Sequence, residues 1–180
     1  YAEDAKGNKS DVVSATYTLI PAGEQVEATI SFASTDQRTF FSTTEQVWAQ
    51  NGITFTNKKT TSSSNVADYA NPVRLYKNSE VIVDCALGKI IKIVFDCNTE
   101  NYATVLKNSI DATATVSSDK VTVILDGTSN SFTVAGLTDQ VRMDALTVTY
   151  VLDENAVDVP EPTFTPGHGS DFIGNLNVTI

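Results

Sequence analysis

Along most of the chain, apolar residues alternate with threonine, serine and charged residues in short runs. In 145–151 (ALTVTYV), for example, the apolar residues at 146, 148 and 150 are separated by threonines. A period of two is typical of a β-strand with one buried and one exposed face. Threonine and valine, which are frequent here, also fit a pleated surface. We therefore predict nine strands, over 28–33, 52–56, 73–76, 80–84, 90–95, 114–116, 120–125, 131–134 and 145–151.

Turn signals fall between these runs, at Asn51-Gly52, Leu87-Gly88, Asp126-Gly127 and Ala135-Gly136. Many short strands separated by such turns are typical of all-β sandwiches. We predict an antiparallel β-sandwich of jelly-roll type with one or two short helices.

Two segments carry helical signals. Ser42-Thr-Thr-Glu45 has the form of a capping box, and the following Gln46–Ala49 predicts a first helical turn that ends at Asn51-Gly52. In Glu100–Asn108, apolar residues at 102, 105 and 106 follow helical spacing and predict a second. We expect each to cover an open end of the sandwich, with Trp48 and Tyr102 filling those ends.

Composition changes at both ends of the predicted sandwich. Residues 1–16 are rich in small, polar and charged side chains, and we predict a flexible N-terminal lead. The β-sandwich is predicted over 17–152. Residues 153–180 begin with a segment that contains three of the five prolines, and then return to a strand-like pattern. We predict a linker and a C-terminal arm or strand there, with possible self-association through 160–180.

Charge and composition exclude several classes of function. The 180 residues include 22 acidic and 12 basic side chains, for a formal net charge of −10. Nucleic acid is excluded as a partner because phosphate binding needs clustered lysine and arginine. Membrane insertion is excluded because no apolar run approaches the roughly 20 residues that span a bilayer. One histidine and two cysteines leave little for nucleophile or metal chemistry.

The single histidine, His168, lies in a glycine-rich segment close to Ser170 and Asp171. A hydrolytic triad needs these residue types, but its members are normally brought together by the fold, and no Gly-x-Ser-x-Gly motif is present. We interpret His168 as a loop residue and predict that the chain is not an enzyme.

The thiols of Cys85 and Cys97 have two interpretations. They are two small buried hydrophobic residues, or a disulfide if the chain is exported. If 80–85 and 90–97 form a hairpin about 87–89, Cys85 faces the region of Ile91 rather than Cys97, which favours the first interpretation. Glu27, Asp36 and Asp144 lie near predicted strand ends and are the candidate oxygen ligands for a structural calcium ion.

The segment 68–79 (DYANPVRLYKNS) holds the densest mixture of aromatic, amide and basic groups. Such groups bind sugars, since a ring stacks on the C–H face of a pyranose while amides and arginine bind its hydroxyls. In the alternative interpretation, Arg74 organises loop carbonyls through its fixed donors and Tyr76 covers an outer sheet face; Arg142 has the same two interpretations. The predicted ligand-binding residues, with Trp48 behind the others, are Trp48, Tyr69, Asn71, Arg74 and Tyr76.

From 28 to 150 the chain resembles a β-sandwich domain that recurs in surface and secreted proteins of gut bacteria and is similar in shape to galactose-binding-like carbohydrate modules. The matching segments are 30–32 (ISF), 46–56 (QVWAQNGITFT), 67–79 (ADYANPVRLYKNS), 93–97 (IVFDC), 102–110 (YATVLKNSI), 140–143 (QVRM) and 146–150 (LTVTY). The resemblance implies an extracellular or cell-surface location, no catalysis and no organic cofactor.

The resulting prediction is a non-catalytic extracellular or cell-surface binding module for carbohydrate. The alternative is a structural or adhesive domain, or a virion-surface decoration, that assembles through its terminal arm. The expected partner is accordingly a glycan or another surface molecule.

Overall fold

The computed structural model describes residues 6–7 and 23–153, and strands fill most of the second range. This range lies within one compact unit, Ile20–Val157. The predicted all-β, antiparallel sandwich is confirmed. The strands are β1 (Gln25–Ser31), β2 (Arg38–Phe41), β3 (Glu45–Gln50), β4 (Ile53–Lys58), β5 (Val73–Leu75), β6 (Glu80–Cys85), β7 (Gly88–Cys97), β8 (Ala114–Ser117), β9 (Lys120–Ile124), β10 (Ser131–Val134) and β11 (Val141–Leu152).

Two sheets form the sandwich. The six-stranded sheet has the order β1-β11-β7-β9-β8, with β5 also paired to β11. The long strand β11 pairs with three strands: β7 lies along one edge of β11, while β1 and β5 pair with successive parts of the other edge. The five-stranded sheet has the order β10-β6-β4-β3-β2. All pairings in both sheets are antiparallel.

The predicted first helix is wrong, because Glu45–Gln50 forms strand β3 between β2 and β4. The local signal is nevertheless real: the hydroxyl of Ser42 accepts hydrogen bonds from the backbone N–H groups of Thr44 and Glu45, at 3.2 and 3.1 Å. These bonds form a turn rather than a helix cap. The chain then extends because the ladder with β4 satisfies its backbone and the alternation buries Trp48.

The second predicted helix is confirmed as α1 (Glu100–Asn108). Ala103 and Leu106 are buried in the core, while Tyr102 and Val105 pack against it in part. A short 3-10 turn at Thr35–Gln37 completes the helical content of the described residues.

The predicted hairpin between 80–85 and 90–97 is also wrong. Strand β6 lies in the five-stranded sheet and β7 in the six-stranded one, so Ala86 and Leu87 carry the chain across the sandwich. Cys85 pairs with Ile53, and Cys97 pairs with Met143. Both thiols are free and buried, which confirms that the cysteines behave as small hydrophobic core residues.

Aromatic rings fill the space between the sheets. Phe32 contacts Trp48 edge-on, with ring centroids 5.1 Å apart, and Phe55 at 4.9 Å. All three side chains are fully buried. Trp48 is therefore a core residue, and its side chain does not reach the surface.

Several predictions fall largely outside the described residues. These are the N-terminal lead (1–16), the C-terminal arm (153–180) with its self-association, and the loop around His168.

Candidate functional site

The predicted binding residues lie on and beside β5. Val73 and Leu75 point into the core, so the residue between them, Arg74, faces outward and is half-buried. Tyr69 lies in the preceding loop with 48% of its side chain exposed. The guanidinium carbon of Arg74 lies 3.8 Å from the centroid of the Tyr69 ring. The structure thus brings two of the five predicted residues into a cation–π contact.

The other three predicted residues occupy different environments. Asn71 is exposed, and its backbone N–H donates a 2.7 Å hydrogen bond to the carbonyl of Phe32. Tyr76 is half-buried, and its carbonyl accepts hydrogen bonds from both the N–H and the hydroxyl of Ser79. Trp48 is completely buried. A ligand at the surface can therefore reach Tyr69, Asn71, Arg74 and Tyr76, but not the Trp48 ring.

Arg142, on β11, is the residue directly opposite Arg74 in the β5–β11 pair. It lies between the buried residues Val141 and Met143, so it faces the same side of the sheet as Arg74. Its guanidinium carbon lies 5.5 Å from the centroid of the Tyr102 ring in α1. Two arginines, each against a tyrosine, thus meet on one face. We call Tyr69, Arg74, Tyr102 and Arg142 the Tyr–Arg surface.

Arg38 anchors the loop that carries Tyr69. Its guanidinium forms an ion pair with Asp68 and lies 4.3 Å from the centroid of the Phe41 ring. Its side chain is only 8% exposed, whereas that of Asp68 is 64% exposed. Because Asp68 immediately precedes Tyr69, this ion pair ties the loop to strand β2. Sequence analysis missed this positioning role, since nothing in the sequence around Arg38 signals a partner 30 positions away.

The guanidinium of Arg74 does not organise loop carbonyls, as the alternative interpretation required. In the part of the chain that the structure describes, neither the Arg74 side chain nor the Arg142 side chain forms a hydrogen bond or an ion pair, and both Nε atoms are buried without a partner. The donors that the Tyr–Arg surface presents to a ligand are therefore the terminal guanidinium nitrogens, whereas the buried Nε atoms are out of reach.

The three acidic residues considered as calcium ligands, Glu27, Asp36 and Asp144, each have a separate environment. Glu27 accepts hydrogen bonds from Lys92 at 2.9 Å and from Thr149 at 3.0 Å, and both bonds lower the pKa of its carboxyl group. Asp144 accepts a hydrogen bond from Asn98 at 3.3 Å, and Asp36 is exposed in the 3-10 turn. Residues 6–7 and 23–153 contain no cluster of three or more histidine, cysteine or acidic side chains suited to a metal ion.

The buried cysteines have the electrostatics of unreactive thiols. Burial, reinforced by nearby carboxylates, raises the pKa of Cys97 to about 12, and burial also raises the pKa of Cys85. The thiolate is the reactive form, so both side chains stay protonated and inert at neutral pH.

Comparison with protein-family models, with curated proteins and with solved structures finds no significant match to this chain. The class defined by the coordinates is thus the all-β antiparallel sandwich, and the resemblance to carbohydrate modules stays a prediction. None of the helices in the described part of the chain is both long enough and apolar enough to cross a membrane.

Proposed function

We propose that this chain is a non-catalytic carbohydrate-binding module of an extracellular or cell-surface protein, and that it binds its ligand at the Tyr–Arg surface. The observation that carries the proposal is the exposed ring of Tyr69, held in place by the guanidinium of Arg74 at 3.8 Å. Tyr69 thus combines a ring that is 48% exposed with an adjacent guanidinium whose terminal donors are not used within the described chain.

The arrangement suits a sugar for two reasons. An aromatic ring offers a flat apolar surface to the C–H face of a pyranose, and tyrosine adds a polar hydroxyl at its edge. Arginine carries donors in a rigid plane, which matches the closely spaced hydroxyls of a sugar. The exposed side chain of Asn71 and the half-buried Tyr76 extend this chemistry along the same segment.

Loop anchoring supports the proposal further. A binding loop that is already ordered loses less conformational entropy when a ligand arrives. Tyr69 is ordered from two sides, by the contact with Arg74 and by the ion pair between Asp68 and Arg38. The ion pair with Arg38 also occupies the carboxylate of Asp68, the acidic group closest in sequence to Tyr69. The surface therefore offers groups that recognise a ligand rather than an unpaired acid and base.

A glycan array probed with the full chain tests the proposal, followed by titration calorimetry on the glycans that bind. Tyr69→Ala should weaken binding about 10-fold, because it removes the stacking ring. Ile124→Ala is the matched control: this side chain is 57% exposed but lies on β9, two strands away from β11, and its loss should leave affinity unchanged. No bound glycan, or equal affinity for Tyr69→Ala, would show the proposal to be wrong.

A further inference from the structure

Two positive charges face each other on the sheet that carries the Tyr–Arg surface. Arg74 and Arg142 are directly opposed across β5 and β11. Directly opposed residues in an antiparallel pair have Cβ atoms about 4.5–5.5 Å apart, and like charges in such positions are destabilising. This chain has three arginines and 22 acidic residues, so the placement of two arginines together without a carboxylate is conspicuous.

Ion pairs form elsewhere in the described range instead. Arg38 pairs with Asp68, Lys92 with Glu27, and Lys120 with Asp96. Neither Arg74 nor Arg142 has an ionic partner among the residues that the structure describes. The two like charges are therefore left without compensation in a protein whose formal net charge is −10.

The two guanidinium groups are also constrained and have unused donors. Each lies against a tyrosine ring, at 3.8 Å for Arg74 and 5.5 Å for Arg142, and each has a buried Nε without a hydrogen-bond partner. A planar guanidinium offers its donors in a fork that matches the spacing of two oxygens on a carboxylate or sulfate. The Nε atoms are closed off from solvent, so an oxyanion between Arg74 and Arg142 would bind the terminal guanidinium nitrogens instead and would relieve the repulsion between the charges.

We propose that Arg74 and Arg142 together bind the oxyanion of an acidic glycan, either the carboxylate of a uronate or a sulfate ester. This inference rests on the proposed carbohydrate-binding function and names its ligand class. The exposed Tyr69 ring beside Arg74 would stack on the sugar that carries the charge, so a charged sugar satisfies the arginines and the ring together.

Long-range charge shapes how this binding should depend on salt. The net charge of −10 repels a polyanion, but at physiological ionic strength this repulsion is screened beyond about 8 Å. Contact between the oxyanion and the two partly buried arginines is screened much less. Binding should therefore be measured near physiological ionic strength, where the local contact dominates.

The experiment uses two matched pairs of polysaccharides with the full chain, in titration calorimetry at physiological salt. Polygalacturonate and its methyl ester differ in the free carboxylate, whereas a sulfated carrageenan and its desulfated form differ in the sulfate. We expect an acidic member to bind and its neutral counterpart to bind at least about 10-fold more weakly, the loss typical of charge-assisted hydrogen bonds. The acidic member that binds identifies the oxyanion.

The variant Arg142→Gln tests the residues. It keeps a polar side chain while removing one charge, and it should weaken binding of the acidic polysaccharide about 10-fold or more. Lys89→Gln makes the same charge change on an exposed residue that pairs with Val151, at the far end of β11 from Arg142, and should leave binding unchanged. Circular dichroism of both variants shows whether each is folded.

Three outcomes would overturn the inference. The first is that neither acidic polysaccharide binds more tightly than its neutral form. The second is that Lys89→Gln weakens binding as much as Arg142→Gln, and the third is that a folded Arg142→Gln binds like the unaltered chain. If the array then yields neutral glycans whose binding depends on Tyr69, the carbohydrate-binding function stands and only the acidic ligand class is wrong. If no glycan binds in either experiment, both proposals fail.

Discussion

Replacing Trp48 with alanine tests whether the ring is a core element or a binding platform. Trp48 is completely buried on β3, and its ring meets Phe32 edge-on at a centroid distance of 5.1 Å. It belongs to the aromatic group between the two sheets, in which Phe32 contacts both Trp48 and Phe55. Its removal should leave a cavity that the surrounding strands cannot close, because both faces of the site belong to hydrogen-bonded sheets.

The size of the effect follows from the buried area. A buried aromatic side chain removes about 150–250 Å² from water, which at about 25 cal/mol per Å² corresponds to about 4–6 kcal/mol. The remaining alanine methyl keeps about 1 kcal/mol of that burial. We therefore expect Trp48→Ala to lower the free energy of unfolding by about 3–5 kcal/mol, within the range for large-to-small core substitutions.

Two further variants separate the causes. Trp48→Phe should cost less than half as much, because it keeps a buried ring and removes the indole N–H, which has no hydrogen-bond partner. Tyr69→Ala, which removes the ring of a residue that is 48% exposed, should lower the free energy of unfolding by less than about 1 kcal/mol.

Urea unfolding followed by far-ultraviolet circular dichroism measures all three variants, since Trp48 is the only tryptophan of the chain and its fluorescence disappears with it. Thermal unfolding should show a fall in Tm of about 6–20 °C for Trp48→Ala. A loss below about 1 kcal/mol for Trp48→Ala, or a loss as large for Tyr69→Ala, would contradict the packing described here.

Two other predictions concern the strand β7 and one surface ion pair. Gly88→Ala should destabilise the protein by about 2 kcal/mol or more in the same urea unfolding assay, because the new Cβ would lie 2.0 Å from the carbonyl oxygen of Val151. Gly136→Ala is the control: no atom lies within 4 Å of its new Cβ, so its stability should change by less than about 0.5 kcal/mol. The hydrogen bond and charge of Lys92 lower the pKa of Glu27 in the folded state below its ordinary value of 4.5, so Glu27 adds stability above that pH and loses it as the pH falls through the lowered pKa. The difference in stability between Glu27→Gln and the unaltered chain, followed from pH 6 to pH 3, should thus be largest near pH 6 and shrink as the pH falls; a difference that grows on acidification would reverse the sign and contradict this account.

Period-two alternation identified most of the sheet. Each of the nine predicted runs overlaps an observed strand, because alternation records which side of a strand faces the core. The two strands that were missed, β2 and β3, carry weaker or conflicting local signals. At β3 the hydroxyl of Ser42 forms the hydrogen bonds of a capping motif, and only the ladder with β4 shows that the chain extends.

The candidate site was predictable in part. Val73-Arg74-Leu75 and Val141-Arg142-Met143 share one pattern, an arginine between two apolar residues, and this pattern by itself predicts two outward-facing arginines. Their direct opposition was not predictable, because the register between β5 and β11 joins segments separated by more than 60 positions.

The sequence by itself indicated a β-sandwich and located the helix at Glu100–Asn108, since alternation and helical spacing are local properties of the chain. Only the tertiary structure decided which sheet each strand joins, that Trp48 belongs to the core and that Arg74 meets Arg142. The physical reason is that strand pairing and interior packing depend on contacts between residues far apart in the chain, and local propensity does not contain them.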